Sequence, residues 1–174
     1  MGIPGWMLRG VGLLLAVALA GCASDGEPPA AEPSFYNSLA SADATVDAAM
    51  AASMISGYRG NNGLSTVRVD PQLMKLAQAQ AQAMAARDKV DHDALRDLRS
   101  RLRSSGYDAK IAVGNVGAGY HTLAQAFSGW RDSPPHRKNM LLPGATHIGI
   151  ATAYAPNSKY KVFWALILAA PDRG

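Results

Sequence analysis

Trp130-Arg131-Asp132-Ser133-Pro134-Pro135-His136-Arg137-Lys138-Asn139-Met140-Leu141 joins a helical pattern to an alternating strand pattern. It gathers Trp, Ser, His, Arg and Asn between Trp130 and Asn139. Rigid and polar residue types at this density, at a junction between elements, mark a built cleft rather than a solvated loop. Upstream, Thr122 caps a helix in which Leu123, Ala126, Phe127 and Trp130 fall at i, i+3, i+4 and i+7. Pro134-Pro135 is expected to stop that helix. Downstream, His147 to Tyr154 (HIGIATAY) alternates and Pro156-Asn157-Ser158-Lys159 is a turn. Tyr160 to Ala169 (YKVFWALILA) is the apolar, β-branched and aromatic run of a central strand or hairpin partner.

Nearer the N-terminus the pattern is helical. Asp43 is the expected cap of a first helix with Val46, Ala49, Met50 and Met54 on one face, ending at Gly60-Asn61-Asn62-Gly63. Asp70-Pro71 supplies a cap and a proline at the first helical position. Leu73, Leu76, Ala77, Gln80 and Met84 follow at helical spacing to about Lys89. A third helix is expected from about Asp93 to Ser104, with Leu95, Leu98 and Leu102 inward and the arginines outward. Lys110 to Tyr120 (KIAVGNVGAGY), broken by glycines, reads as a strand edge or tight loop. Helices around a small antiparallel sheet give an α+β class with three layers.

The chain has 174 residues, 48% apolar and 17% charged, an ordinary globular balance for one domain with appendages. Its first segment differs. Arg9 is the only charge before Cys22, and Val11 to Ala20 is an unbroken small and apolar run. That run is too short to span a bilayer but suits the core of a signal peptide. Leu19-Ala20-Gly21-Cys22 resembles the lipobox of bacterial lipoproteins, which implies a signal peptide over 1–21 and acylation of Cys22. The competing reading is a plain secretory signal with an incidental Cys. Residues 22–40, with the stretch ASDGEPPAAEPS, read as lipidated Cys and flexible tether, and 41–174 as the folded domain. Several acyl chains together hold a membrane stably, where one does not. By resemblance to sorted lipoproteins, Ala23 rather than Asp after Cys22 implies the outer membrane over the inner one, so the domain is expected in the periplasm or at the cell surface.

Cys22 is the only cysteine, so no disulfide within the chain supports the exported domain. Net charge is +4, and removal of residues 1–21 takes away Arg9 alone. An exported, tethered protein rarely meets nucleic acid. Anionic lipid headgroups or acidic envelope polymer are the charge-matched partners, beside the simpler reading of a solvated helix face.

The ordered set of motifs resembles the bacterial branch of the CAP superfamily (cysteine-rich secretory, antigen 5 and pathogenesis-related, or SCP-like, proteins). Trp130, Ser133, Pro134, His136, Arg137, Asn139 and Leu141 fit its W-x-x-S-P-x-H-R-x-N-hydrophobic-L pattern. Arg59, Gly63 and Leu64 fit the end of the first helix, with Ser56 in place of an Asn. Asp70, Leu73, Ala77, Ala81, Met84 and Ala85 fit the second helix. His92, Gly106-Tyr107, Val113-Gly114-Asn115-Val116, Ile148-Gly149-Ile150-Ala151 and Trp164-Ala165 fit later positions. The resemblance covers about Val46 to Ala169 and implies an α-β-α sandwich with helices on both faces of an antiparallel sheet.

It also implies a cleft of two histidines and two acidic residues that in some members binds zinc. His92 and His136 match the histidines. Gly114 stands where the Glu is expected, and Ser133 occupies the second acidic position. Two imidazoles alone make a weak zinc site, and Gly114 can neither ligate nor carry a proton. Asp91, Asp93 or Asp132 could substitute if the fold brings them in. The expected function is a non-catalytic binding module for a lipid, a small ligand or a protein partner, since superfamily members have been associated with lipid binding and protein recognition. An apolar groove beside the polar cleft would suit such ligands. The alternative is a hydrolase, protease or esterase, using His92, His136 and Ser133, which needs hydrogen-bond reach and an orienting group. Arg137 and Asn139 are expected to tie the cleft to neighbouring carbonyls, Trp130 to be core, and Asn115 to bond backbone at the cleft floor. Gly114 has either a positive φ or the role of opening the cleft. His121 and His147 read as structural.

Overall fold

The computed structural model describes residues 1–2 and 32–172. The expectations placed on the signal peptide and Cys22 lie outside the described residues. A single 3₁₀ turn at Ser34–Tyr36 precedes α1 (Ala48–Gly60), β1 (Arg68–Val69), α2 (Pro71–Arg87) and α3 (Leu98–Ser104). Then come β2 (Ala109–Ala118), α4 (Leu123–Asp132), α5 (Pro134–Met140), β3 (His147–Tyr154) and β4 (Val162–Pro171).

The strands form one sheet in the order β1-β3-β4-β2. β4 is central and antiparallel to both β2 and β3, while the short β1 adds to β3 in parallel. The parallel edge was not part of the sequence expectation. It arises because Arg68 and Asp70 donate their N–H groups to the Thr146 and Ile148 carbonyls as the chain enters α2.

Alternation along β4 divides the core in two. Val162, Trp164, Leu166 and Leu168 turn to one face and join Ala51, Ala52 and Ile55 of α1, Leu123, Ala126 and Trp130 of α4, and Met140 of α5. Phe163, Ala165, Ile167 and Ala169 turn to the other and join Leu73, Ala77, Ala81 and Met84 of α2 with Leu102 of α3. Two-fold side-chain periodicity in a strand buried on both sides gives three layers. α2 crosses so close to β3 that a Cβ on Gly149 would overlap the Leu73 carbonyl. A glycine is required where backbones approach to this degree.

The capping chemistry explains where helices start. Asp70 accepts from Gln72 and Leu73 N–H at 2.8 and 2.9 Å. Thr122 and Gln125 form a reciprocal capping box at the start of α4. The first helix corrects the expected cap: Asp47, not Asp43, accepts the Met50 N–H at 2.9 Å, and Ser34 Oγ bonds its other oxygen at 2.7 Å. The third helix is also shorter than expected. Asp97 caps it through Ser100 N–H at 3.0 Å, so residues 92–96 form turns and bends and Leu95 is left exposed. Arg101, expected outward, is buried at 7% exposure. Pro134-Pro135 does end α4 but also begins α5, because proline at the first helical position forfeits only an N–H that has no helical partner. The stretch from Trp130 to Leu141 is therefore mostly helix. Lys110 to Tyr120 is largely β2, an edge strand.

From Glu32 onward the chain forms one compact unit. Packing thus begins before Ser41, within the segment read as tether: Leu39 is buried and its N–H donates to the His121 carbonyl at 2.7 Å. Arg59, fully buried, closes the far side. Its guanidinium donates to Ser65 O at 2.8 Å, Met140 O and Leu142 O at 2.9 Å, and Ala145 O at 3.0 Å. It thereby ties the end of α1 to the segment that connects α5 with β3.

Candidate functional site

The cleft lies over β2. His92 comes from the turns after α2 and His136 from α5, and the two rings sit 6.4 Å apart between centroids, inclined by 26°. Three amides set this arrangement. Gln80, buried at 1% exposure, donates from Nε2 to the Asp91 carbonyl at 2.7 Å and the His92 carbonyl at 3.0 Å. Asn115, fully buried, donates to the His136 carbonyl at 3.0 Å. Asn139 donates to the Gly114 carbonyl at 3.0 Å and to Asn115 Oδ1 at 2.9 Å. The α2 side of the cleft is thus tied through Gln80, and α5 is tied to β2 through Asn115 and Asn139.

His136 is half-buried and His92 exposed. Burial holds the His136 pKa below its ordinary 6.5, and the facing His92 lowers it further. Gly114 has no positive φ. The strand is extended there, so the cleft-opening alternative is the one the backbone permits. A Cβ at Gly114 would lie 3.2 Å from the Leu166 carbonyl oxygen and 3.7 Å from Leu98 Cδ2. Over it lies a cavity of about 140 Å³ lined by Gln80, His92, Asp93, Leu98, Arg101 and Asn115, among others.

The remaining candidates fall apart chemically. Ser133 is the residue before α5 but makes no side-chain cap, and no hydrogen bond joins it to His136 among the described residues. Asp132 is exposed and engaged by its neighbour Arg131 at 2.8 Å. Asp91 accepts the Asp93 N–H at 2.9 Å. Among the described residues no group of three or more His, Cys, Asp or Glu could hold a metal ion. Two imidazoles beside a glycine do not fit a zinc centre, which takes three or four protein ligands. Arg137 is exposed and its side chain makes no hydrogen bond among the described residues, unlike Asn139. Trp130 is core: it is 1% exposed and packs edge-on against Trp164 at 6.1 Å.

The other histidines lie elsewhere. His147 Nε2 accepts from Arg68 Nε at 2.8 Å and Nδ1 faces Thr146 Oγ1 at 2.8 Å, so Nδ1 carries the proton. Burial, then Arg68, hold its pKa down. His121 gives its N–H to Gln125 in the capping box region. The apolar groove expected beside the cleft sits elsewhere too. A groove of about 550 Å³, lined by Ala44, Val46, Met74, Gln78, Ile150 and Thr152 among others, runs along the outer edge of β3. β3 and β2 lie on opposite sides of β4, so the groove and the cleft occupy opposite edges of the sheet.

Sequence reasoning missed Gln80 and Arg101 as cleft residues. Gln80 was visible only as one more position on the buried face of α2. Arg101 was indistinguishable from Arg96, Arg99 and Arg103 by composition.

The model of the CAP family (cysteine-rich secretory protein family) matches residues 52–168, and the chain belongs to that family. It is 31% identical over 99 residues to the uncharacterized protein YkwD of Bacillus subtilis, covering 56% of this chain and 38% of that protein's length. Solved structures share the fold. An extracellular protein containing an SCP domain from Bacillus anthracis aligns with a TM-score of 0.60 at 23% identity, covering 69% of this chain and 39% of that one. An outer surface protein from Borrelia burgdorferi aligns with a TM-score of 0.64 at 15% identity, covering 74% and 98%.

Proposed function

We propose that this CAP-family chain is an envelope binding module, anchored through an acylated Cys22, whose histidine cleft holds a ligand without turning it over. The single observation that carries the reading is the cleft's composition. Its two imidazoles are brought together by buried amides, while the positions that would supply a carboxylate or an activated nucleophile hold Gly114 and an unengaged Ser133. General base, nucleophile and orienting group must meet for acyl transfer, and among the described residues no hydrogen bond joins Ser133 to His136. The groove along β3 offers a second surface of a size suited to an acyl chain or an extended peptide. Anchoring is supported by the lipobox-like Leu19-Ala20-Gly21-Cys22, and a place outside the cytoplasm by two structural relatives described as extracellular and outer-surface proteins. Among the described residues no helix is long and apolar enough to cross a membrane.

The test compares the purified full chain with its His92→Ala/His136→Ala variant. Small molecules extracted from each are identified by mass spectrometry, and each is assayed on an unfolded protein and a chromogenic acetyl ester. A compound retained by wild type and lost from the variant, with no turnover, supports the reading. Turnover that disappears in His136→Ala and Ser133→Ala replaces it with a hydrolase. Loss of membrane fractionation in Cys22→Ser checks the anchor separately.

A further inference from the structure

The cavity over Gly114 contains two unspent polar groups. Gln80 Nε2 is committed to two carbonyls, which fixes the amide orientation, since a flip would set oxygen against oxygen. Its Oε1 is buried and has no partner among the described residues. Such an acceptor requires a donor from a ligand or an ordered water. Arg101, also more than nine-tenths buried, donates from Nε to the Arg96 carbonyl at 3.0 Å and from Nη1 to the Leu76 carbonyl at 3.4 Å. Its Nη2 has no hydrogen-bond partner among the described residues. Asp93 lines the same cavity and acts on the Arg101 charge.

A buried cation beside an unmet acceptor and a carboxylate is a pattern for a ligand with both signs of polarity. The volume of about 140 Å³ holds roughly four or five water-sized groups, the size of a small amino acid. Glycine at 114 leaves the space and adds no further carboxylate to Asp93 and Asp97, which already act on the Arg101 charge.

We propose that this cavity binds an α-carboxylate bearing a donor nitrogen on its α-carbon, with Arg101 holding the carboxylate and Gln80 Oε1 accepting from the nitrogen. Two sources share that chemistry: a free amino acid of glycine or alanine size, and the C-terminal residue of a peptide. The inference rests on the cleft's being a binding site and is independent of anchoring.

The experiment is a calorimetric titration of the purified full chain with alanine, N-acetylalanine and propionate. Saturable binding of alanine or N-acetylalanine at about 1 mM or tighter, with propionate at least about tenfold weaker, is expected. Alanine as the stronger of the two identifies a free amino acid, because Asp93 then faces an ammonium. N-acetylalanine as the stronger identifies a peptide terminus. Gln80→Met and Gly114→Glu should each weaken binding at least about tenfold, while Gly114→Ala, which adds only the Cβ, keeps most of it. Circular dichroism melts of the variants confirm that they fold. No saturable binding by wild type, equal binding of propionate, or unaltered binding by folded Gln80→Met and Gly114→Glu overturns the proposal. If these probes fail while a copurified compound still depends on His92 and His136, the inference falls and the binding module stands. Probes that bind a chain found to hydrolyse substrate leave the inference and remove the non-catalytic reading.

Discussion

Arg59→Met should destabilise the protein by about 3–5 kcal/mol, the scale expected when a buried hydrogen-bond network is broken and its acceptors are left unsatisfied. The magnitude follows from the contacts. The guanidinium is fully buried, and four carbonyls, of Ser65, Met140, Leu142 and Ala145, accept from it at 2.8–3.0 Å. A hydrogen bond from a charged donor contributes about 1.5–3 kcal/mol, so four bonds sum to roughly 6–12 kcal/mol before the cost of burying the charge. That cost is several kcal/mol, because no carboxylate bridges to Arg59 among the described residues and burial lowers its pKa. Methionine fills similar volume, so the loss comes from unsatisfied carbonyls rather than a void. Arg59→Lys should cost less, about 2–3 kcal/mol, since one ammonium cannot span four acceptors with its three donors. Urea unfolding followed by the fluorescence of Trp130 and Trp164 measures both. A loss below about 1 kcal/mol for Arg59→Met would refute the reasoning. It would mean that the connection between α5 and β3 holds without the guanidinium.

Three further perturbations separate the roles assigned above. His136 titrates below 6.5 because of burial and then because of His92, so the unfolded chain takes up this proton first. The contribution to instability is absent well above 6.5, grows as pH falls through 6.5, and is complete below the lower folded value. His92→Gln should raise the His136 pKa in an NMR titration of the ring proton, and an unchanged midpoint would disprove the coupling. Gly149→Ala should cost about 3 kcal/mol or more in a urea melt, because the methyl overlaps the Leu73 carbonyl; near-neutrality would show that α2 can slide. Ser133→Ala should change stability by no more than about 0.5 kcal/mol and abolish no activity, and any larger effect would show a bond the hydroxyl makes unseen.

Much of the fold could be read from the chain because local chemistry and tertiary packing agree there. Asp70-Pro71 and Thr122 mark helix starts by capping, and the β4 run is apolar on both faces because helices cover both. The misreadings occur where a choice depends on distant partners. Asp43 and Asp47 are equally good caps by type, and Ser34 reaches the second. Pro134-Pro135 ends one helix and starts another, a distinction invisible to the breaker rule alone. His136 was recognisable through its flanking motif, and His92 through its place after the second helix of the family pattern. The Gln80 and Arg101 wall was not, because a buried arginine on a short helix looks like its solvated neighbours until β2 and α2 pack around it.

The most direct test of the cleft chemistry is a calorimetric zinc titration of the purified full chain beside the His92→Ala/His136→Ala variant. A cleft that binds without metal-assisted chemistry gives no stoichiometric micromolar binding, and the two proteins respond alike. Stoichiometric binding at micromolar or tighter affinity, lost in the variant, would show that another side chain completes a metal site where Gly114 cannot, and would return metal-assisted hydrolysis to first place.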